Sequence, residues 1–173
     1  MTGKRRSLPL DEDALRDLAL RHVARFATSR SKLVAYLQRK LRERGWSGER
    51  PAEAEALADR FVELGYIDDA GYAVMKGAAL GRRGYGARRV NDALRTAGIA
   101  ESDRAQAEAL AVSDAWAAAD RFARRKRLGP YAAEPPSPQQ RERAIAAFLR
   151  AGHDYDVARR WIDARPGEIP EDS

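Results

Sequence analysis

Cysteine is absent from all 173 residues, which excludes a disulfide framework, a thiol nucleophile and thiolate metal ligands. Histidine is scarce: His22 and His153 are the only two, and they lie far apart in sequence. No His-x-x-x-His pair occurs, and no Ser/His/Asp set stands at workable positions. Phosphate loops of the Gly-x-x-x-x-Gly-Lys-Ser/Thr kind are missing, and Gly81, Gly84 and Gly86 do not make a dinucleotide fingerprint. Asp68-Asp69 and the pair Asp154 and Asp156 each follow a glycine at a helix start, so they read as capping residues rather than as catalytic carboxylates. The expectation is therefore a protein without catalytic residues, metal or cofactor. No apolar run approaches the length of a membrane span, and the first residues lack the apolar core of a signal peptide. No membrane association and a cytoplasmic location are expected.

Runs of β-branched residues are missing too, and aromatics make up only 8%. Ala and Arg are abundant instead, and Ala, Leu, Arg and Glu are good helix formers, so the chain is expected to be all-α. The net charge is +6. A basic balance suits nucleic acid or an acidic protein surface, although Arg-rich usage also arises from a GC-rich genome. Residues 1–67 carry 14 basic and 10 acidic side chains, residues 68–112 carry 7 and 6, and residues 113–165 carry 11 and 7. The last eight carry none and 3, so the positive charge is spread through the part expected to be folded.

Residues 1–9, with Lys4-Arg5-Arg6, read as a disordered basic arm. A first helix starts at Asp11-Glu12-Asp13 and carries the stripe Leu15, Leu18, His22 or Val23, and Phe26. His22 reads as a histidine at the edge of the core. Ser29 caps a second helix with Leu33, Leu37 and Leu41 at i+4 steps, and Gly45 ends it. Pro51 fits the first turn of a third, whose stripe is Ala54, Leu57, Ala58, Phe61 and Leu64 before Gly65. A fourth runs over residues 68–83 and a fifth starts at Gly86 with Val90, Leu94 and Ala97. A sixth covers residues 101–111, with Leu110 on a thin stripe, and a seventh starts near Asp114 and ends in Arg124-Arg125-Lys126-Arg127. A Pro-rich loop over residues 129–138 follows, then Ser137-Pro138-Gln139-Gln140 as a capping box for the eighth helix. Asp154 caps the ninth, and residues 166–173 form a flexible acidic tail.

Three helix ends share one shape: Leu41 before Gly45-Trp46, Leu94 before Gly98-Ile99, and Phe148 before Gly152-His153. The glycines are 53 and 54 residues apart, and each has a helix on either side. The reading is three tandem three-helix repeats over residues 10–67, 68–112 and 113–165, stacked into an elongated, curved helical array.

Two basic clusters stand out. Arg82-Arg83-Gly84-Tyr85-Gly86-Ala87-Arg88-Arg89 sets arginines on both sides of a break, with Tyr85 between them. Arginine offers planar paired donors to phosphate or carboxylate, and a tyrosine can stack on a base or fill a pocket. Arg124, Arg125, Lys126 and Arg127 end a helix, where the dipole favours cations in any case. Both clusters also admit a plainer reading as solvated faces, with Tyr85 packed between helices.

The block Leu64-Gly65-Tyr66-Ile67-Asp68-Asp69, Tyr72-Ala73, Arg82 through Val90, and Leu94-Arg95-x-x-Gly98-Ile99 resembles the RecX family of bacterial recombination regulators. Residues 143–149, Gly152-His153 and Tyr155-Asp156-Val157-Ala158 resemble the family's last unit. The likeness spans about residues 14–164 and is densest in the central block. It implies three tandem three-helix repeats and a non-enzymatic modulator of the RecA recombinase. Such proteins lie in the groove of the RecA filament on DNA and limit its growth or persistence. They thereby suppress strand exchange, ATP hydrolysis and the co-protease function of the SOS response, and some bind DNA directly. The implied partners are the RecA filament and single- or double-stranded DNA within or beside it, and a monomer is expected. The candidate contacts are Arg82, Arg83, Tyr85, Arg88, Arg89 and Arg95, then Arg124, Arg125, Lys126 and Arg127. Two alternatives stay open: a stand-alone DNA-binding helical regulator, and a helical-repeat adaptor for another acidic protein. The chain departs from the family at Ser29-Arg30-Ser31-Lys32-Leu33, where Ser-x-x-Glu-Leu is usual. Lys32 puts a positive charge near the positive end of a helix dipole.

Overall fold

A computed structural model describes residues 8–172. Most of the expected basic arm therefore lies outside the described residues. Among those residues the chain is all-helical: α1 Glu12–Arg25, α2 Arg30–Arg44, α3 Ala54–Glu63, α4 Asp69–Arg82, α5 Ala87–Thr96, α6 Glu101–Ser113, α7 Ala115–Lys126, α8 Pro138–Arg150 and α9 Tyr155–Asp163. A 3₁₀ turn covers Gly129–Tyr131. No described helix is long and apolar enough to cross a membrane. The described residues divide into two compact units, one of 8–72 with 97–99, the other of 73–96 with 100–172.

In the first unit α1, α2 and α3 close over Leu10, Leu15, Ala19, Leu33, Leu37, Ala58 and Phe61. Asp11 caps α1 by accepting from the Ala14 N–H at 2.8 Å. Leu10 is fixed by one parallel bridge: its N–H donates to the Gly45 carbonyl at 2.9 Å, and its carbonyl accepts from the Ser47 N–H at 2.8 Å. Ser29, fully buried, accepts from the Lys32 N–H at 3.3 Å as its helix cap and donates to the Ala97 carbonyl at 3.2 Å. The Lys32 ammonium lies over the Tyr72 ring, 5.2 Å from its centre, so the unexpected cation here has an aromatic neighbour. Pro51 does not open α3. The helix begins at Ala54 after Glu53, which makes no side-chain cap.

In the second unit α7, α8 and α9 enclose Phe122, Ile145, Phe148, Ala158, Trp161 and Ile162. Phe122 and Phe148 meet edge to face with centres 4.8 Å apart, a geometry aromatic quadrupoles favour. Ser137 and Gln140 form the reciprocal capping box at the start of α8. Asp154 makes no side-chain cap for α9; its carboxylate meets Arg88 instead. The Gly167 N–H donates to the Pro130 carbonyl at 2.8 Å, tying residue 167 to the 3₁₀ turn. Leu64, Leu110 and Phe26, expected on apolar stripes, are exposed: each stands at a helix end or on a helix with little apolar cover.

Several helices end in one hydrogen-bond pattern, in which a residue with positive φ is followed by an N–H that reaches back five positions. Gly65, Gly84 and Gly152 hold that place, with Tyr66, Tyr85 and His153 donating to Phe61, Leu80 and Phe148. At the end of α7 the place is held by Arg127 (φ 54°), while Leu128 donates to Ala123. A left-handed arginine costs about 1 kcal/mol relative to glycine. At Gly84 (φ 77°) a Cβ would also stand 2.7 Å from the Phe122 backbone nitrogen, whereas at Gly65 (φ 75°) it would meet nothing. Urea denaturation is expected to show Gly65→Ala costing about 1 kcal/mol and Gly84→Ala about 2–4 kcal/mol. Equal losses would mean that the approach to α7 carries no energy.

Candidate functional site

The break between α4 and α5 is clasped by the turn between α8 and α9. The Gly86 N–H donates to the Ala151 carbonyl at 2.9 Å, and the Arg88 N–H donates to the Gly152 carbonyl at 3.2 Å. His153 Nε2 lies 3.0 Å from the Gly84 carbonyl. A carbonyl only accepts, so Nε2 carries the proton and the ring is the Nε2–H tautomer. The imidazole is buried against Phe122 and Phe148. That burial pulls its pKa below the ordinary 6.5, more strongly than the Gly84 hydrogen bond and the nearby Asp154 raise it. No side chain fits where the turns meet: a Cβ on Gly86 would overlap the Gly152 carbonyl, and one on Gly152 would overlap the Arg89 backbone.

Several of the candidate side chains lie beside the clasp. Arg83 and Arg125 both lie over the Tyr85 ring, 5.4 and 5.7 Å from its centre. Arg125 also donates to the Arg83 carbonyl. The two basic clusters, 42 residues apart in sequence, thus share one half-buried tyrosine. Arg89 and Arg83 line a cleft of about 470 Å³ with Lys76, where Asp92 is the one acidic side chain. Arg82 lines a neighbouring cleft with Tyr85, Asp114 and Arg121. Arg121 is turned inward, donating to Asp114 and, at 2.9 Å, to the Gly81 carbonyl.

The other candidates divide. Arg88 meets Asp154 at 2.9 Å, but both side chains are about two-thirds exposed, so the pair is weak and exchangeable. Arg124 is held by Tyr131, donating to its hydroxyl at 2.9 Å, and lies 3.4 Å from Asp120. Tyr131 in turn donates to Asp120, and burial followed by that carboxylate pushes its pKa up. Arg95, Lys126 and Arg127 are exposed and make no ion pair among the described residues. Arg95 belongs to the last turn of α5, while Lys126 and Arg127 stand on the rim of a separate cavity.

The first unit carries a basic and aromatic surface absent from the sequence-based expectations. His22 stacks on Tyr36 with centres 4.2 Å apart and planes 20° from parallel, and Phe26 lies 5.3 Å from His22. Arg25 stands over Phe26, and Arg39 and Lys40 over Tyr36. Phe26 is 52% exposed. Burial, then Arg39 and Lys32, hold the His22 pKa below 6.5. The signal in the sequence is the spacing: His22 and Phe26 are i and i+4, and Tyr36, Arg39 and Lys40 are i, i+3 and i+4.

No family model matches the chain. The regulatory protein RecX of Myxococcus xanthus (strain DK1622) is 32% identical over 176 residues, which cover 95% of this chain and 92% of that protein. The crystal structure of RecX from Lactobacillus salivarius superposes with a TM-score of 0.60 over 84% of this chain and 90% of that one, at 17% identity. That structural match speaks for the all-helical fold.

The clasp sets a pH dependence. An unfolded histidine takes up a proton below about pH 6.5, whereas buried His153 resists doing so. The unfolded chain therefore binds more protons, and stability is lost as pH falls below 6.5, with His22 acting in the same sense. Thermal melts are expected to show the midpoint dropping from pH 7 toward pH 5. His153→Gln, which keeps a donor for Gly84, should flatten most of that drop; an unaltered slope would remove His153 as its source.

Proposed function

The chain belongs to the RecX family of regulatory proteins, and on that premise we propose that it regulates the RecA recombinase by lying along the RecA–DNA filament. In this reading the filament and its DNA are the partners, the chain has no catalytic role, and it acts in the cytoplasm as a monomer built of three repeats. Inhibition of strand exchange, ATP hydrolysis and SOS co-protease function follows from limiting filament growth or persistence. The observation that carries the reading is the joined cluster at Tyr85. Arg83 and Arg125 are held over one ring. Arg82 and Arg89 stand beside them without an ion pair among the described residues. Preorganised guanidinium groups lose less side-chain entropy when they meet phosphates or carboxylates.

The RecA–single-stranded-DNA filament supplies the test. Added protein is expected to slow filament ATP hydrolysis and strand exchange at amounts well below one per recombinase. No effect at one per recombinase would discard the reading. Replacing Arg82, Arg83 and Arg89 together with Ala should leave helicity unchanged and weaken inhibition about tenfold or more, the effect of removing one or two charge-assisted hydrogen bonds. Arg88→Ala should do less, because Asp154 already shares that guanidinium. Full inhibition by the triple variant would reassign the cluster to solvation.

The surface at Phe26 supports direct contact with the strand as part of the same reading. An exposed Phe26 ring beside Arg25, on a surface where Arg39 and Lys40 lie over Tyr36, suits an unstacked base and its phosphates. Phe26→Ala is expected to weaken binding of a fluorescent oligo-dT about fivefold or more. An abasic oligonucleotide of equal charge should bind the parent protein no better than oligo-dT binds the variant. If parent and variant bind oligo-dT alike, Phe26 is not a stacking platform.

A further inference from the structure

A cavity in the second unit shares no lining residue with the two clefts at the Tyr85 cluster; Lys126 and Arg127 on its rim are among the candidate filament contacts, but the cavity itself has no part in the filament reading. It measures about 520 Å³ and is bounded by the end of α7, the Pro-rich loop and α8. Leu128, Ala144, Ala147 and Ile162 make an aliphatic floor. Lys126, Arg127 and Arg143 stand on its rim, and none of them makes an ion pair among the described residues. Glu134 is the one acidic residue in the lining, and no aromatic side chain belongs to it.

Arg127 provides a second, independent observation. It takes the left-handed helix-end position that glycine fills in the matching turns at Gly65, Gly84 and Gly152. Glycine would sit there without strain, so the folded chain gains nothing from arginine at the backbone level. Its guanidinium also has no acidic partner among the described residues to recover the cost. A strained position that holds a charged side chain at a cavity rim points to use by something outside the chain.

We propose that this cavity is a docking site for an acidic peptide segment of a partner protein, one in which a bulky apolar side chain is flanked by Asp or Glu. The apolar side chain enters the aliphatic floor, while Arg127, Lys126 and Arg143 pair with the flanking carboxylates. Arg127 and Arg143 offer the planar paired donors that carboxylates accept. The volume falls in the range of side-chain and small-ligand pockets. A nucleic acid is the weaker fit, since no ring in the lining can stack on a base. The site is separate from the Tyr85 cluster, so it can fail while the filament reading stands, and the reverse.

The test uses the full chain and a fluorescein-labelled decapeptide with a central leucine between aspartates and glutamates, read by anisotropy. Arg127→Gly is the informative variant, because it relieves the backbone while removing the guanidinium. The variant is expected to melt at the same or a higher temperature and to bind the peptide about tenfold more weakly, the loss of one charge-assisted pair. Arg143→Gln should weaken binding similarly. A peptide with serine in place of leucine should lose about tenfold as well, as a buried apolar side chain requires. Equal peptide affinity for the parent and Arg127→Gly overturns the proposal. So does an indifferent response to leucine, or displacement of the peptide by oligo-dT at equal charge concentration, which would make this a nucleic-acid surface.

Discussion

Two backbone turns can approach as closely as these do only where no Cβ stands at the point of contact. That constraint governs the second unit. Gly86 and Gly152 bring the break after α4 against the turn after α8, and the polar groups exposed by those breaks satisfy one another: Gly86 N–H with Ala151, Arg88 N–H with Gly152, His153 with Gly84. Breaks in helices leave orphan donors and acceptors that are costly to bury. Here each break supplies what the other lacks. The arginines next to Gly84 and Gly86 take their places because the peptide groups between them are already committed.

Local acceptors separate structural cations from available ones. Arg121 and Arg124 are absorbed by Asp114, Asp120, Tyr131 and the Gly81 carbonyl. In the first unit Arg30 is absorbed by Asp59, which it grips at 2.5 and 3.1 Å and whose carboxyl it holds below the usual range. Arg82, Arg89, Arg95, Lys126 and Arg127 have no such acidic partner among the described residues. Net charge alone would not have distinguished the two groups. Position relative to helix breaks and carboxylates does.

Much of the fold was legible because helix punctuation is local. Asp11, Ser29, Gly65, Ser137 and Gly152 act within three to five residues, and each stands at the helix end read from the sequence. Family membership was legible in the central block for a related reason: its glycines and arginines stand at fixed short spacings. Long-range partners were not legible. Nothing near Asp154 in sequence announces that Arg88 would take the carboxylate expected to cap α9. The meeting of Arg125 with Arg83, 42 residues apart, depends on tertiary packing. Pro51 misled because a proline suits a first helical turn but also suits the extended approach to one. The His22, Phe26 and Tyr36 surface does not announce itself because periodicity reports which residues share a face, not whether that face is covered.

The clasp also has a place in time. Its two halves are separated by 69 residues, counted from Gly84 to His153, so closing it costs the entropy of a long loop. A nascent chain emerges from its N-terminus, and helices such as α4 and α5 form from local contacts. A ribosome-bound chain that ends before residue 151 already carries Arg82, Arg83, Arg88, Arg89 and Arg125, yet lacks the carbonyls that anchor Gly86 and Arg88. The fixed guanidinium array is therefore a property of the finished chain, and incomplete translation products carry the charge without the geometry.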